Sequence, residues 1–177
     1  MKHIALILML GVLPVSIGTA STVEDPFCLP IKYTNEIEYS DYELFSFALG
    51  WRESNNDYRV INRWGYLGKY QFSPVTLRVL GYQGTKQQFL NSPELQELYF
   101  KKLLISNKKV LKNYIKMFEG QEIDGIVVTE SGILAAAHLV GVGNVKKYFN
   151  TGYIKRDGLG TPVTEYLYLF QNYDLQL

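Results

Sequence analysis

Three Ser-Pro or Thr-Pro pairs constrain the fold more than any other feature of this sequence. Each pair places an N-cap residue directly before a proline, and proline is favoured at the first position of a helix. Apolar residues at helical spacing follow each pair. The predicted helices run from Ser73-Pro74 to Gly81, from Ser92-Pro93 to Phe118 and from Thr161-Pro162 to Phe170.

Two further helices are predicted by caps that contain no proline. Ser40 and Glu43 form a capping box before apolar residues at helical spacing, so we expect a helix from Asp41 to Arg52. Thr129 precedes a strongly apolar run, which predicts a helix from Ile133 to Val140.

The segments between these helices indicate the remaining architecture. The long pattern after Ser92 contains Ser106-Asn107, so it fits either one helix or two helices that meet there. Residues 123–128 are a short β-branched run and predict an extended segment. We find no internal repeat, heptad or metal-ligand spacing. The sequence therefore predicts a mainly α fold, or α+β at most.

Size and charge limit the classes of function. The chain has 177 residues, which suits one compact domain better than two. It is 47% hydrophobic, so it can bury a core and is not a disordered chain. With 18 basic and 17 acidic residues, it lacks the strongly basic character of nucleic-acid-binding proteins. We expect a monomeric globular protein that binds no nucleic acid.

Residues 1–20 have the organisation of a secretory signal peptide. A short basic start, an apolar run from Ile4 to Leu13 and small residues at Gly18 and Ala20 predict cleavage after Ala20. The alternative is an uncleaved anchor, but the run is shorter than the ~20 apolar residues that span a bilayer. We therefore expect a secreted or periplasmic protein in which residues 21–39 form an extended leader.

Cys28 is the single cysteine, so no intramolecular disulfide can form. A cysteine nucleophile needs a histidine base, and His138 is the one histidine beyond the predicted signal peptide. We interpret Cys28 as a buried or terminal thiol.

Glu53 stands where the first apolar helix meets a long segment rich in Asn and Gly. A segment of this length inside a small domain is usually functional. Beside apolar and aromatic neighbours an ionised carboxylate is poorly solvated, which favours a carboxyl group that donates a proton near neutral pH. The alternative is a surface glutamate near a helix end that pairs with Arg52.

Three short motifs follow one another along the chain: Glu53-Ser54, residues 65–72 (GYLGKYQF) and residues 135–145 (AAAHLVGVGNV). In order and spacing they resemble the motifs of lytic transglycosylases and goose-type lysozymes. The resemblance covers residues 40–171. It implies a lysozyme-like helical catalytic domain, which we place at residues 40–177.

The resemblance also implies roles for single residues. Glu53 is the catalytic acid, and Gly68 and Gln71 line the sugar cleft. A glycine there lets the backbone approach the ligand, and a glutamine amide can bond to an acetamido group. The alternative for Gln71 is a side chain that anchors the loop. The third motif departs from the family, because His138 stands at its tyrosine position and Leu139 at its asparagine position. His138 is therefore either a substrate contact or a core residue.

Further candidates lie in or near these motifs. Ser54 either orients the glutamate before it or satisfies the end of its helix. The rings of Tyr66 and Tyr70 suit stacking on sugars as well as core packing. Glu130 at a helix start and Asp157 in a turn are acids with structural explanations. We expect no metal and no cofactor.

The activity that the resemblance implies is cleavage of the β-1,4 bond between N-acetylmuramic acid and N-acetylglucosamine in peptidoglycan strands. In a lytic transglycosylase the 6-hydroxyl of the sugar attacks, which gives a 1,6-anhydro product and needs a single carboxyl group. The alternatives are a hydrolytic lysozyme that uses the same glutamate, with Glu130 or Asp157 placing water, and a non-catalytic glycan-binding module.

Overall fold

The computed structural model describes residues 38–177, which form one unit and are mainly helical, as predicted. The predictions for the signal peptide, Cys28 and the leader up to residue 37 lie outside the described residues. Within residues 38–177, no helix combines the length and the apolar character that a membrane-spanning helix requires.

Seven helices and one hairpin make up the described part of the chain. In chain order they are α1 (Asp41–Ser54), α2 (Pro74–Val79), α3 (Lys86–Leu90), α4 (Pro93–Phe118), β1 (Glu122–Ile123), β2 (Ile126–Val127), α5 (Glu130–Val140), α6 (Val142–Thr151) and α7 (Val163–Leu169). The strands pair antiparallel, with Glu122 opposite Val127 and Ile123 opposite Ile126.

Most of the predicted caps are present. Ser40 and Glu43 form both hydrogen bonds of the capping box at the start of α1. The side chains of Ser73 and Ser92 accept hydrogen bonds from the first turns of α2 and α4. The prediction for α7 was wrong in detail, because its N-cap is Pro162 and no side chain caps it. The fixed φ of proline suits a helix entry even without a side-chain acceptor.

Helix α5 lies at the centre of the core. All seven residues from Ser131 to Ala137 are buried, and α5 contacts α4, α6 and α7. Its approach to α7 depends on Gly132, where a Cβ atom would lie 2.6 Å from the carbonyl oxygen of Leu167. Because Glu53 lies in the last turn of α1 and His138 in the last turn of α5, the packing of α5 determines part of what surrounds the candidate acid.

Candidate active site

Glu53 lies in the last turn of α1, and its side chain is 16% exposed. The hydroxyl of Tyr166 on α7 donates a hydrogen bond of 2.8 Å to its Oε1 atom. Its Oε2 atom makes no hydrogen bond with any described residue. Arg52 pairs with Glu165 instead, so the alternative of a surface pair between Arg52 and Glu53 does not fit the structure.

Tyr166 was not predicted to be a site residue. It is 3% exposed, and the guanidinium of Arg52 lies 5.4 Å from its ring centre. Burial and the neighbouring Glu53 raise the pKa of its phenol, so the hydroxyl remains a donor throughout the physiological range. Helical spacing indicates which face of α7 is buried, but it holds no signal for the residue that Tyr166 contacts there.

His138, in the last turn of α5, lies beside the same carboxyl group. Its Nε2 atom is 3.9 Å from Oε1 of Glu53, and its side chain is 7% exposed. The rings of Phe72 and Phe100 meet it edge-on, at 6.4 and 5.8 Å between ring centres. Burial lowers the pKa of His138, against the opposing effect of Glu53. The structure thus brings His138 to the candidate acid, within an apolar surround.

Ser54 is tied to the loop that follows α1. Its hydroxyl donates to the main-chain carbonyl of Lys69 at 2.8 Å and accepts from the main-chain N–H of Asp57 at 3.1 Å. A longer bond of 3.4 Å to the main-chain carbonyl of Gly50 corresponds to the interpretation that Ser54 satisfies the end of its helix, and none of its bonds reaches Glu53. The bonds to Lys69 and Asp57 join the two ends of the long loop and so hold the backbone next to Glu53.

Gly68 is buried, and its glycine requirement has an internal cause. Its φ is +67°, and a Cβ atom would lie 2.0 Å from Oε1 of Gln96 on α4. The interpretation that this glycine makes room for a glycan is therefore replaced by one in which it makes room for Gln96. That amide accepts from the N–H of Lys69 and donates to the carbonyls of Tyr58 and Phe89.

Gln71 supports the same turn. Its φ is +49°, and its side-chain amide donates to the carbonyl of Gly68 at 2.9 Å. This hydrogen bond corresponds to a loop-anchoring role. Its Oε1 atom makes no hydrogen bond within residues 38–177, so a sugar N–H or O–H could use that acceptor as well.

The two predicted tyrosines differ in position. Tyr66 is 41% exposed on the loop, where its ring is available to a ligand. Tyr70 is fully buried, and its ring stacks on Phe100 with centres 3.8 Å apart. A sugar cannot reach Tyr70, so the prediction of a substrate contact there does not fit the structure. Tyr66 and Tyr70 lie in an irregular loop, where hydrophobic periodicity does not apply, so the sequence did not show which of the two rings is buried.

A polar cluster on Glu97 fastens the loop to α4. Glu97 accepts hydrogen bonds from the hydroxyls of Tyr58 and Tyr70, both at 2.6 Å, and its Oε1 atom lies 2.8 Å from Nζ of Lys69. The Lys69 side chain is 9% exposed, so its charge depends on this one carboxylate. Sequence reasoning did not find this cluster, because its members lie in an irregular loop and on a distant helix.

The other two acids lie apart from Glu53. Glu130 pairs with Lys108 at 2.9 Å, and Asp157 accepts from the main-chain N–H groups of Leu159 and Thr161 in a turn. Neither acid bonds to Glu53 in the described part of the chain. Residues 38–177 also contain no group of three His, Cys, Asp or Glu side chains that could hold a metal ion.

The site thus consists of one largely buried carboxyl group, in which one oxygen is hydrogen-bonded and the other makes no hydrogen bond with the described residues, beside a loop that carries an exposed aromatic ring. Such a group can give a proton to a bound molecule and take one back. No protein-family model, curated protein or solved structure matches this chain.

Proposed function

We propose that this protein is a peptidoglycan lytic transglycosylase with a lysozyme-like helical domain, in which Glu53 is the acid and then the base. The observation that carries the proposal is the environment of Glu53. Its Oε1 atom accepts a hydrogen bond from Tyr166, its Oε2 atom makes no hydrogen bond with the described residues, and within residues 38–177 no other carboxylate pairs with or bonds to it. The sequence motifs supply the substrate class.

The chemistry follows from this single carboxyl group. Protonated Glu53 gives its proton to the glycosidic oxygen, the C1–O bond breaks, and its electron pair remains on the leaving sugar. The 6-hydroxyl oxygen of the muramic acid residue then forms a bond to C1, and its proton passes to the Glu53 carboxylate. The atoms balance without water, and the product is a 1,6-anhydro sugar.

Substitution of Glu53 by glutamine tests the proposal. The amide keeps the shape and can still accept from Tyr166, but it has no proton to transfer, and this form of catalysis is worth about 10²–10⁴-fold. We expect Glu53→Gln to lose glycan cleavage, to retain glycan binding and to keep its melting temperature or raise it slightly. Glu130→Gln, outside the site, is the matched control and should retain activity.

Mass spectrometry of the digested muropeptides distinguishes the products. Anhydro ends in the wild-type digest would support the transglycosylase. Reducing ends without anhydro sugars would indicate a hydrolase instead, and loss of activity in Glu130→Gln would point to that acid as the group that places water. Near wild-type cleavage by Glu53→Gln would show that the catalytic assignment is wrong.

A further inference from the structure

Two side chains converge on one oxygen of Glu53. The Tyr166 hydroxyl lies 2.8 Å from Oε1, and Nε2 of His138 lies 3.9 Å from the same atom. Since Oε2 bonds to nothing in the described residues, the two oxygens of this carboxyl group have different surroundings. The proposed mechanism makes no use of His138.

The surroundings of the His138 ring favour one protonation state. A neutral imidazole has one N–H and one lone pair. Nε2 faces the Oε1 acceptor, whereas Nδ1 is buried and has no hydrogen-bond partner among residues 38–177. The main-chain carbonyl of Tyr70 opposes part of the decrease in the His138 pKa, but makes no hydrogen bond of ordinary geometry with the ring. A proton on Nδ1 would thus leave a buried donor unpaired, which is costly.

The elements that pack around His138 add no other charge. Phe72 from the loop and Phe100 from α4 present apolar rings. Glu53 comes from α1, and Tyr166 from α7 contacts the same oxygen. Within the described residues, Glu53 is the one charged group that lies against this imidazole. A charged His138 ring would therefore place an Nδ1–H group without a hydrogen-bond partner among apolar rings.

We propose that His138 is a positioning residue for Glu53: its neutral ring presents Nε2–H to Oε1, and Oε2 is thereby left as the oxygen that exchanges the proton with the glycan. This inference rests on the proposed function. When Glu53 has given up its proton, the carboxylate is a stronger acceptor than the neutral acid. The gap of 3.9 Å then shortens to hydrogen-bond length, which stabilises the charge that forms on Glu53.

The protonation state can be measured without any activity. The chain has two histidines, so the full-length His3→Gln variant leaves His138 as its single imidazole. We expect ¹⁵N-histidine NMR at pH 7 to show a neutral ring with the proton on Nε2, and at lower pH a smaller charged fraction than free histidine has, since burial opposes the charged form. An Nδ1–H tautomer, or an imidazolium at pH 7, would overturn the proposal.

Kinetics of two variants separate positioning from packing. His138→Phe keeps a flat ring but removes the donor, and we expect kcat to fall about 10-fold while KM changes less than about twofold. His138→Gln keeps a donor and should retain kcat within about threefold.

The kinetics of the two His138 variants can contradict the positioning role. A His138→Phe enzyme with wild-type kcat would overturn the positioning role, and so would equal losses of kcat in both variants. Glu53→Gln is the separate control for the proposed function. If Glu53→Gln still cleaves peptidoglycan, the proposed function is wrong. The NMR experiment would still report whether the His138 ring donates toward Glu53.

Discussion

The hydroxyl of Tyr166 reaches Glu53 across 113 residues of sequence, and it makes the one hydrogen bond that distinguishes the two carboxyl oxygens among the described residues. A phenol that stays protonated can donate to Oε1 but cannot take a proton from the acid. The transferable proton of Glu53 is therefore directed to its other carboxyl oxygen, Oε2. At the scale of single residues, the chemistry of Glu53 depends on this neighbour as much as on its own place at the end of α1.

Removal of that hydroxyl should reduce activity more than stability. Tyr166→Phe keeps the buried ring and loses the bond to Glu53, and hydrogen bonds to charged groups are worth about 1.5–3 kcal/mol. We expect kcat on peptidoglycan to fall about 10- to 100-fold, with a small change in melting temperature. Tyr168→Phe is the control, because Tyr168 lies on the same helix and is 56% exposed. Wild-type turnover by Tyr166→Phe would contradict the role of this bond.

Gly68 and Gly65 form a matched pair that separates backbone strain from collision. Both have positive φ, but a Cβ atom at Gly65 would meet nothing within 4 Å, whereas one at Gly68 would meet Gln96. We expect Gly65→Ala to lower the free energy of unfolding by about 1–2 kcal/mol. Gly68→Ala should lose at least about 2 kcal/mol more, because Gln96 must leave buried main-chain partners unpaired. Urea titrations measure both losses of unfolding free energy. Equal losses in the two variants would show that the Gln96 side chain moves aside without cost.

At the scale of elements, the long loop between α1 and α2 is held by α4. Gln96 and Glu97, adjacent on that helix, bond to loop residues on both sides of the turn at Gly68. The loop carries Phe72, which packs against His138. The fastening of the loop to α4 therefore positions part of the apolar surround of the candidate site.

Substitution of Glu97 by glutamine should release this fastening. Lys69 would keep a buried charge with no carboxylate to pair with, and we expect a loss of about 2–4 kcal/mol of unfolding free energy in urea. The lower part of that range applies because the Glu97 side chain is 36% exposed. Adding Lys69→Met removes the stranded charge, so the double variant should be more stable than Glu97→Gln alone. If the loss of unfolding free energy in the double variant equals the sum of the losses in Glu97→Gln and Lys69→Met, Lys69 and Glu97 are not coupled.

The helices themselves were predicted unevenly. Helix α4 is one helix from Pro93 to Phe118, although Ser106 and Asn107 have low helix propensity, because tertiary packing overrides propensity and Asn107 is buried there. Helix α3 was missed because it has only five residues. Helix α6 was missed because its N-cap, Gly141, has no side chain to accept a hydrogen bond and also ends α5.

At the scale of the whole described unit, buried phenols make stability sensitive to alkali. Burial raises the pKa of Tyr42 to about 12 and raises the pKa of Tyr70 and Tyr166 as well, from an ordinary value of 10.0. Above pH 10 the unfolded chain releases these protons and the folded chain retains them, so the free energy of unfolding should decrease. Below pH 10 both states are protonated and no such loss arises.

The decrease should reach up to about 1.4 kcal/mol per pH unit for each phenol. Urea titrations between pH 7 and pH 12, with phenolate absorbance as a second signal, measure it. A Tyr70→Phe variant removes one of these protons and should show a shallower decrease. Constant stability up to pH 12 would show that the phenols are not buried as described.

The sequence alone determined the helical class, most of the caps, the inward faces of the helices and the place of Glu53 at the end of α1. These features depend on residues within a turn or two of one another, where capping chemistry and apolar spacing act. Only the tertiary structure decided that Tyr166 and His138 meet Glu53, that Tyr70 is core and that Gly68 makes room for Gln96. Periodicity shows which side of a helix is buried, but the partner it meets depends on how distant helices pack, and that is not encoded in any local pattern.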